Sequence, residues 1–279
     1  MRRISPFALQ KLENFVDQEA ARRLELNEML PSRDYITQMM RLHPERGFDW
    51  RPLAGGMMFF GGQRSPMSQA IGMGLHGPVS ATEFDEFEAF YRDRDTPAQI
   101  VVAPFIDPSL MKLVGERGYR ITEFNSVLVC RLADLRPSPF PDHIRIERVT
   151  AATAHRWAEV LCEGFAEFGP FPTDLFEPYA LLPHGLNYLA FVDGEPAGGA
   201  AGAFYPEHRL AAIFGAATLP KFRNRGVQTA LTSTRLLAAR DAGCEIGMVC
   251  TQPGSGSQRN AERNGFRVAY TKVVMVRNW

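Results

Sequence analysis

No stretch of this 279-residue sequence is apolar for anything near the roughly 20 residues that cross a bilayer, so no membrane-spanning helix is expected. An excess of either charge is also missing. Thirty-one Lys and Arg balance 31 Asp and Glu, which leaves no global field to draw in nucleic acid or an anionic membrane. Any anion site must be local. Cysteine is scarce, at four, and Cys130, Cys162, Cys244 and Cys250 form neither a CxxC pair nor a zinc spacing; they read as reduced, mostly buried thiols with no metal among them. The string GxxxxGK followed by Ser or Thr does not occur, which excludes a P-loop. The opening "MRRISPFALQKLENFVDQEAARRLEL" turns charged before a signal-peptide core can form, and the expected location is cytoplasmic.

Hydrophobic residues make up 45% of the chain, ample for a sizeable core. The segment "RPSPFPDH" crowds three prolines into eight residues between two apolar stretches, and proline opposes both helix and central strand. It divides the chain into residues 1–135, a linker at 136–142 and residues 143–279. Ser5 and Pro6 have the pattern of a helix start, with Leu9, Leu12, Phe15 and Val16 behind them at helical spacing. "GGMMFFGG", "SQAIGMGL" and "QIVVAP" read as strands, "SATEFDEFEAFYRDR" as a helix capped by Ser80 or Thr82, and "YRITEFNSVLVCRL" as a β pair. After the linker come a strand, a helix over 152–165, a strand turning at Asp193 and Gly194, two further strands, and a helix running from Gly226 to about Ala242. The strand "EIGMVCT", the helix "SQRNAERN" and "FRVAYTKVVMVR" close the chain.

The two endings are alike. Shifted by 147 positions, "QIVVAP" falls on "IGMVCT" and "RGYRITEFNSVLV" on "NGFRVAYTKVVMV", so that Gly118, Arg120, Val127 and Val129 meet Gly265, Arg267, Val274 and Val276. A register kept through strand, helix and glycine points to an internal repeat, and hence to a monomer containing a pseudo-dimer. Similar composition in short strand–helix–strand units is the alternative.

The string "LPKFRNRGVQTAL" sets Lys221, Arg223 and Arg225 around Gly226 just ahead of a helix. A helix start exposes unpaired backbone N–H groups and the positive end of the dipole, glycine lets an anion come close, and arginine suits phosphate. A solvated charge run entering a helix has the same pattern. A GxGxxG also occurs, at Gly72, Gly74 and Gly77, but the helix starts after the motif, and no carboxylate ends the following strand before Asp107. Turn and strand glycines explain that string more simply.

"ATLPKFRNRGVQTAL" resembles the acetyl-CoA segment of the GNAT superfamily of N-acetyltransferases, whose pattern is Gln or Arg, two residues, Gly, one residue, then Gly or Ala; Arg223, Gly226 and Gln228 stand at those places. The resemblance spans residues 143–279 and includes the Gly265–Phe266 pair after the penultimate helix. It implies an α/β fold of two tandem GNAT-like domains, each a mixed, mostly antiparallel sheet flanked by helices, with acetyl-CoA as co-substrate in the second. The first domain, without an anion loop in register, would be a degenerate structural copy. The implied cofactor contacts are Ala217, Thr218, Arg223, Asn224, Arg225, Gly226, Val227, Gln228, Thr229 and Asn260, with the strand "AAIFGAATL" pairing along the pantetheine arm. The implied partner is an amine on a small molecule or protein, docking near "EFGPFPTDLFEPYALLPHG".

Two family features are replaced. Gln228 stands where a small residue is usual, and Ala261 stands five before Phe266, where relatives often carry the tyrosine that protonates the departing thiolate. Ser255, Ser257 and Asn260 lie nearby. No base is assigned either: Glu163, Glu167, His184, His208 and Tyr270 are read as surface groups. The primary expectation is acetyl transfer to an amine. A non-catalytic acyl-CoA sensor, and a nucleotide-dependent oxidoreductase built on Gly72 to Gly77, are the alternatives.

Overall fold

In a computed structural model, residues 16–63, 65–136 and 139–279 are described; the helix expected from Ser5 and Pro6, and Pro137 and Ser138 of the linker, lie outside these. In chain order the elements are α1 (Gln18–Leu42), β1 (Asp49–Leu53), β2 (Gly56–Phe60), β3 (Ala70–Ile71), α2 (Ala81–Arg92), β4 (Ala98–Val102), α3 (Pro108–Glu116) and β5 (Arg120–Arg131). They continue with β6 (Ile144–Arg148), α4 (Ala154–Gly164), α5 (Glu177–Ala180), β7 (Tyr188–Val192), β8 (Glu195–Tyr205), β9 (Leu210–Thr218), α6 (Val227–Asp241), β10 (Ile246–Thr251), α7 (Gly256–Arg263) and β11 (Arg267–Arg277). The expected β pair at residues 119–132 is one continuous strand, β5, because nothing in "RITEFNSVLVCR" supplies a turn. A shift of 147 takes α2, β4 and α3 onto α6, β10 and α7, each to within a few residues.

These elements fall into two compact units, Met1–Val127 with Val268–Trp279, and Leu128–Arg267. The last strand therefore counts with the first unit. There the sheet order is β1-β2-β3-β4-β11-β5, with β11 antiparallel to β4 through Val273–Val102 and Met275–Ile100. Phe84, Phe87 and Tyr91, one face of α2, pack on this sheet with ring centroids 5.2 to 5.4 Å apart along the helix. Beneath α1, Lys272 of β11 donates to both carboxylate oxygens of Glu25 at 3.0 Å and also to Glu28, while the Tyr270 hydroxyl donates to Glu25 at 2.7 Å. Glycines 72 and 74 pack under Met29 and Leu110, where an added Cβ would come within 3.0 Å and 3.2 Å of their side chains. That packing accounts for the first two glycines of the GxGxxG string, and the third, Gly77, sits at φ +148°.

In the second unit the order is β5-β10-β9-β8-β7-β6, antiparallel from β6 to β9 and parallel between β9 and β10. Its core gathers Trp157, Leu161, Tyr188, Val227, Leu231 and Leu236. The small-residue strand "EPAGGAAGAFY" admits helices closely on both faces. A Cβ on Gly199 would meet the Trp157 ring of α4 at 3.1 Å, and one on Gly198 would meet Val227 of α6 at 3.0 Å. Among the described residues no helix is long and apolar enough to cross a membrane. All four cysteines are free thiols; Cys130 and Cys244 are buried, and Cys162 and Cys250 half-buried.

Candidate functional site

β9 and β10 start as paired parallel strands and then part. Pairing runs only from Leu210–Ile246 to Ala212–Met248, while β9 continues six residues further, to Thr218. Along this stretch β9 keeps β8 on one side and, among the described residues, has no strand partner on the other. The parting coincides with a bulge: Ala201 pairs with Phe214 and Ala200 with Ala216, so Gly215 is the extra residue, at φ +50°. A bulge bends its strand and sharpens the local twist, and glycine takes the left-handed angle at little cost. Main-chain groups that would be buried in a closed sheet are thereby open on the β10 side.

The loop after β9 ends at a helix with no side-chain cap. Pro220 to Phe222 form one tight turn, Asn224 takes φ +63°, and Gly226 is the N-cap of α6 at φ +87°. No described residue accepts from the backbone N–H groups of Asn224 through Thr229. Successive N–H groups around left-handed residues at a helix start form a concave anion seat, reinforced by the helix dipole. Thr218 Oγ1, buried just before the loop, is likewise unpartnered among the described residues. The three cations have found partners of their own. Arg223 pairs with Glu167 at 3.0 Å, Arg225 with Asp193 at 2.9 Å, and Lys221 with Glu195. Three like charges so close in sequence are thus each matched by a carboxylate, and the N–H array is the part of the cluster left unmatched.

These features frame a cleft of about 630 Å³. Of the residues expected to contact the cofactor, Ala217, Thr218, Arg223, Asn224, Gly226, Val227, Gln228, Thr229 and Asn260 line it; Arg225 does not. A second cavity, about 140 Å³, lies where β9 and β10 diverge and shares Ala216, Gln228, Ser257 and Asn260 with the first. The sequence reading missed Gly164, Arg263 and Arg235. At Gly164 the end of α4 comes so near β9 that a Cβ would sit 2.5 Å from that of Ala217, and no local pattern announces such an approach. Arg263 was readable as i+3 from Asn260, whose side-chain oxygen accepts from it at 3.3 Å. Arg235 lies at i+7 from Gln228 on the same helix face.

Since Arg223 reaches the cleft and Arg225 turns to Asp193 outside it, their alanine variants should differ. Arg223→Ala is expected to weaken binding of a phosphorylated ligand about fivefold, the equivalent of about 1 kcal/mol for an exposed charge, with the loss shrinking as salt rises. Arg225→Ala should leave affinity within twofold. Equal losses in a calorimetric titration would place the anion elsewhere.

The corresponding helix start in the first unit is closed by the chain itself. Ser80 caps α2 by accepting from Glu83 N–H at 3.2 Å, and the Glu83 carboxylate accepts from the Ser80 N–H at 2.8 Å and hydroxyl at 2.7 Å. Hydrogen bonds from Ser80 hold the Glu83 carboxyl below its ordinary range. Its negative charge occupies the place an external anion would take.

Acid–base groups are sparse around the cleft. Ala261 lines the small cavity and is 7% exposed, with no hydroxyl at that place. Glu167 is the carboxylate on the cleft lining, and it is paired with Arg223; Glu163 is exposed, and His184 and His208 line neither space. Tyr270, expected as a surface group, is buried in the first unit on Glu25, because β11 belongs there.

Residues 140–266 match the family model described as acetyltransferase (GNAT) family. A tandem GNAT protein from the clavulanic acid biosynthesis pathway superposes with TM-score 0.60 at 12% identity, over 88% of this chain and 87% of its own. A GCN5-related N-acetyltransferase from Kribbella flavida does so with TM-score 0.58 at 19% identity, over 87% and 94%. One from Sphaerobacter thermophilus gives 0.54 at 16%, over 75% and 71%. At such identities the likeness is one of fold. No curated protein sequence matches the chain.

Proposed function

From a chain whose residues 140–266 form a GNAT acetyltransferase domain within a tandem GNAT-like fold, we propose an N-acyltransferase that takes an acyl group from a CoA thioester, acetyl-CoA in the first instance, and passes it directly to an amine. The observation that carries this reading is the unmatched N–H array from Asn224 to Thr229, set at the mouth of the parted β9 and β10. The array suits a pyrophosphate. Thr218 Oγ1 and the unpaired edge of β9 suit the amide groups of a pantetheine arm, and the gap between the strands leads the thioester into the sheet.

The chemistry asked of the protein is mostly positioning. The amine attacks the thioester carbonyl, the C–N bond forms, the C–S bond breaks, and the electron pair leaves on sulfur. In this reading the developing oxyanion is received by backbone N–H groups of β9 beyond Ala212, where its pairing with β10 has ended. The proton leaving nitrogen passes to water. A thiolate leaves without an acid at neutral pH, which is how a site with Ala261 turns over. The first unit, its helix start filled by Glu83, serves as a structural copy that takes no cofactor.

Titration with acetyl-CoA and with NAD, followed by thiol release against a panel of amines, tests the reading. Binding of acetyl-CoA but not NAD, with thiol release that depends on one amine class, is the expected result. Binding without release from any amine would favour a non-catalytic acyl-CoA sensor, the reading that Ala261 and the scarcity of carboxylates at the cleft support. Failure to bind acetyl-CoA would overturn both.

A further inference from the structure

The second unit buries a cation with no anion beside it. Arg235 of α6 is 1% exposed, on the face of the helix that meets the sheet, one turn beyond Thr232. Its Nε donates to the Leu231 carbonyl at 3.1 Å, and its Nη1 to the carbonyls of Ala201 at 2.6 Å and Phe214 at 3.2 Å. The last two belong to Ala201 and Phe214, the strand pair next to the bulge at Gly215. Among the described residues the hydrogen bonds of Arg235 all run from Nε and Nη1 to backbone carbonyls, with none from Nη2 and no carboxylate paired with the guanidinium.

Stapling the strands beside the bulge explains Nη1 alone, Nε serving the helix's own Leu231 carbonyl, and it does not explain the charge. Carbonyl dipoles offset part of the cost of taking a guanidinium out of water, yet they bring no negative charge, and a neutral amide would hold the same two strands at far lower desolvation cost. Burial pushes the Arg235 guanidinium down to about 9, which still leaves it charged at neutral pH. An unpaired buried cation of this kind marks a place where an anion is to arrive.

Arg235 and Thr232 line the small cavity of about 140 Å³, far more than the roughly 30 Å³ share of one water. That cavity adjoins the larger cleft, with Ala216, Gln228, Ser257 and Asn260 lining both. A group entering along the parted strands from the cofactor side thus runs toward Nη2. We propose that the Arg235 cavity receives the carboxylate of an ω-carboxyacyl group, so that the chain prefers a malonyl- or succinyl-type CoA thioester over a neutral thioester of equal length. The inference rests on the CoA thioester lying in the cleft, as proposed above. In the transfer the amine nitrogen forms a bond to the thioester carbonyl carbon, the C–S bond breaks with its electron pair on sulfur, and the amine proton goes to water. The distal carboxylate stays on Arg235 throughout and anchors the acyl group.

The test compares CoA, butyryl-CoA and succinyl-CoA by titration against the full chain and against Arg235→Met and Arg235→Lys, with circular dichroism as the check on folding. The wild type is expected to bind succinyl-CoA at least about tenfold more tightly than butyryl-CoA, a step of about 1.4 kcal/mol. Arg235→Met should equalise the two, and Arg235→Lys should keep part of the preference. Equal affinities in the wild type would overturn the inference while leaving CoA binding intact, and this holds even if Arg235→Met fails to fold. A wild type that bound none of the three would overturn the inference and the proposed function together.

Discussion

Lys272→Met is expected to cost the first unit about 3–5 kcal/mol and to lower its apparent melting temperature by about 10 °C. Lys272 is 2% exposed and Glu25 fully buried, and the ammonium group also reaches Glu28. Replacing the pair together by apolar residues is often nearly neutral. Removing the cation alone leaves Glu25 buried beside a second carboxylate, with the Tyr270 hydroxyl still donating to it. The pH dependence follows from Glu25, whose carboxyl burial holds above its ordinary 4.5 against the pull of Lys272. A group with a raised folded pKa favours the fold below its unfolded value and loses that contribution as pH rises through the folded one. Without Lys272 the shift grows, so the variant's deficit should be smallest near pH 4 to 5 and widest at neutral pH and above. Denaturant melts at both ends of that range, with Lys272→Met/Glu25→Met recovering most of the loss, are the measurement. A deficit under about 1 kcal/mol at neutral pH would show that the buried pair is not holding β11 onto α1.

What was legible in the sequence was local or periodic. Gly226 ahead of a helical run, Asp193–Gly194 at a turn, Ser80 with Glu83 three residues on, and the 147-residue register of the two endings each carry their signal within a short window. The partners of the loop cations do not, because Glu167, Asp193 and Glu195 lie 56, 32 and 26 positions before Arg223, Arg225 and Lys221 and are brought alongside only by the fold. The pairing of β11 with β4 is hidden for the same reason: a strand pattern says which faces are apolar but not which distant strand will be its neighbour. Arg235 is the exception. Gln228, Thr232 and Arg235 repeat at i, i+4 and i+7 among residues that bury, and polar groups on a core-facing stripe mark a lined cavity. That stripe lies wholly within the helix, in one short window of sequence.

Gly226→Val is expected to reduce acetyl-CoA affinity about 100-fold while leaving the fold assembled. Crowding within the protein is not the cause. A Cβ at position 226 would lie 3.6 Å from Ile144 Cδ1 and 3.9 Å from Pro141 Cδ, ordinary contacts. The cost is conformational: φ +87° suits glycine, and a β-branched residue held there carries strain of about 1–3 kcal/mol. The loop relieves that strain by turning toward negative φ, which swings the N–H groups at the start of α6 away from a common centre. Losing two charge-assisted hydrogen bonds at about 1.5 kcal/mol each gives the 100-fold. Gly226→Ala, less crowded at the same angle, should fall between wild type and valine. Thermal melts that drop by only a few degrees, alongside titrations that lose two orders of magnitude, would place the effect in the N–H array. If the valine variant kept its affinity to within threefold, the turn at Gly226 would not be what orders the phosphate seat, and binding would have to rest on Arg223 and Arg263, whose side chains survive the substitution.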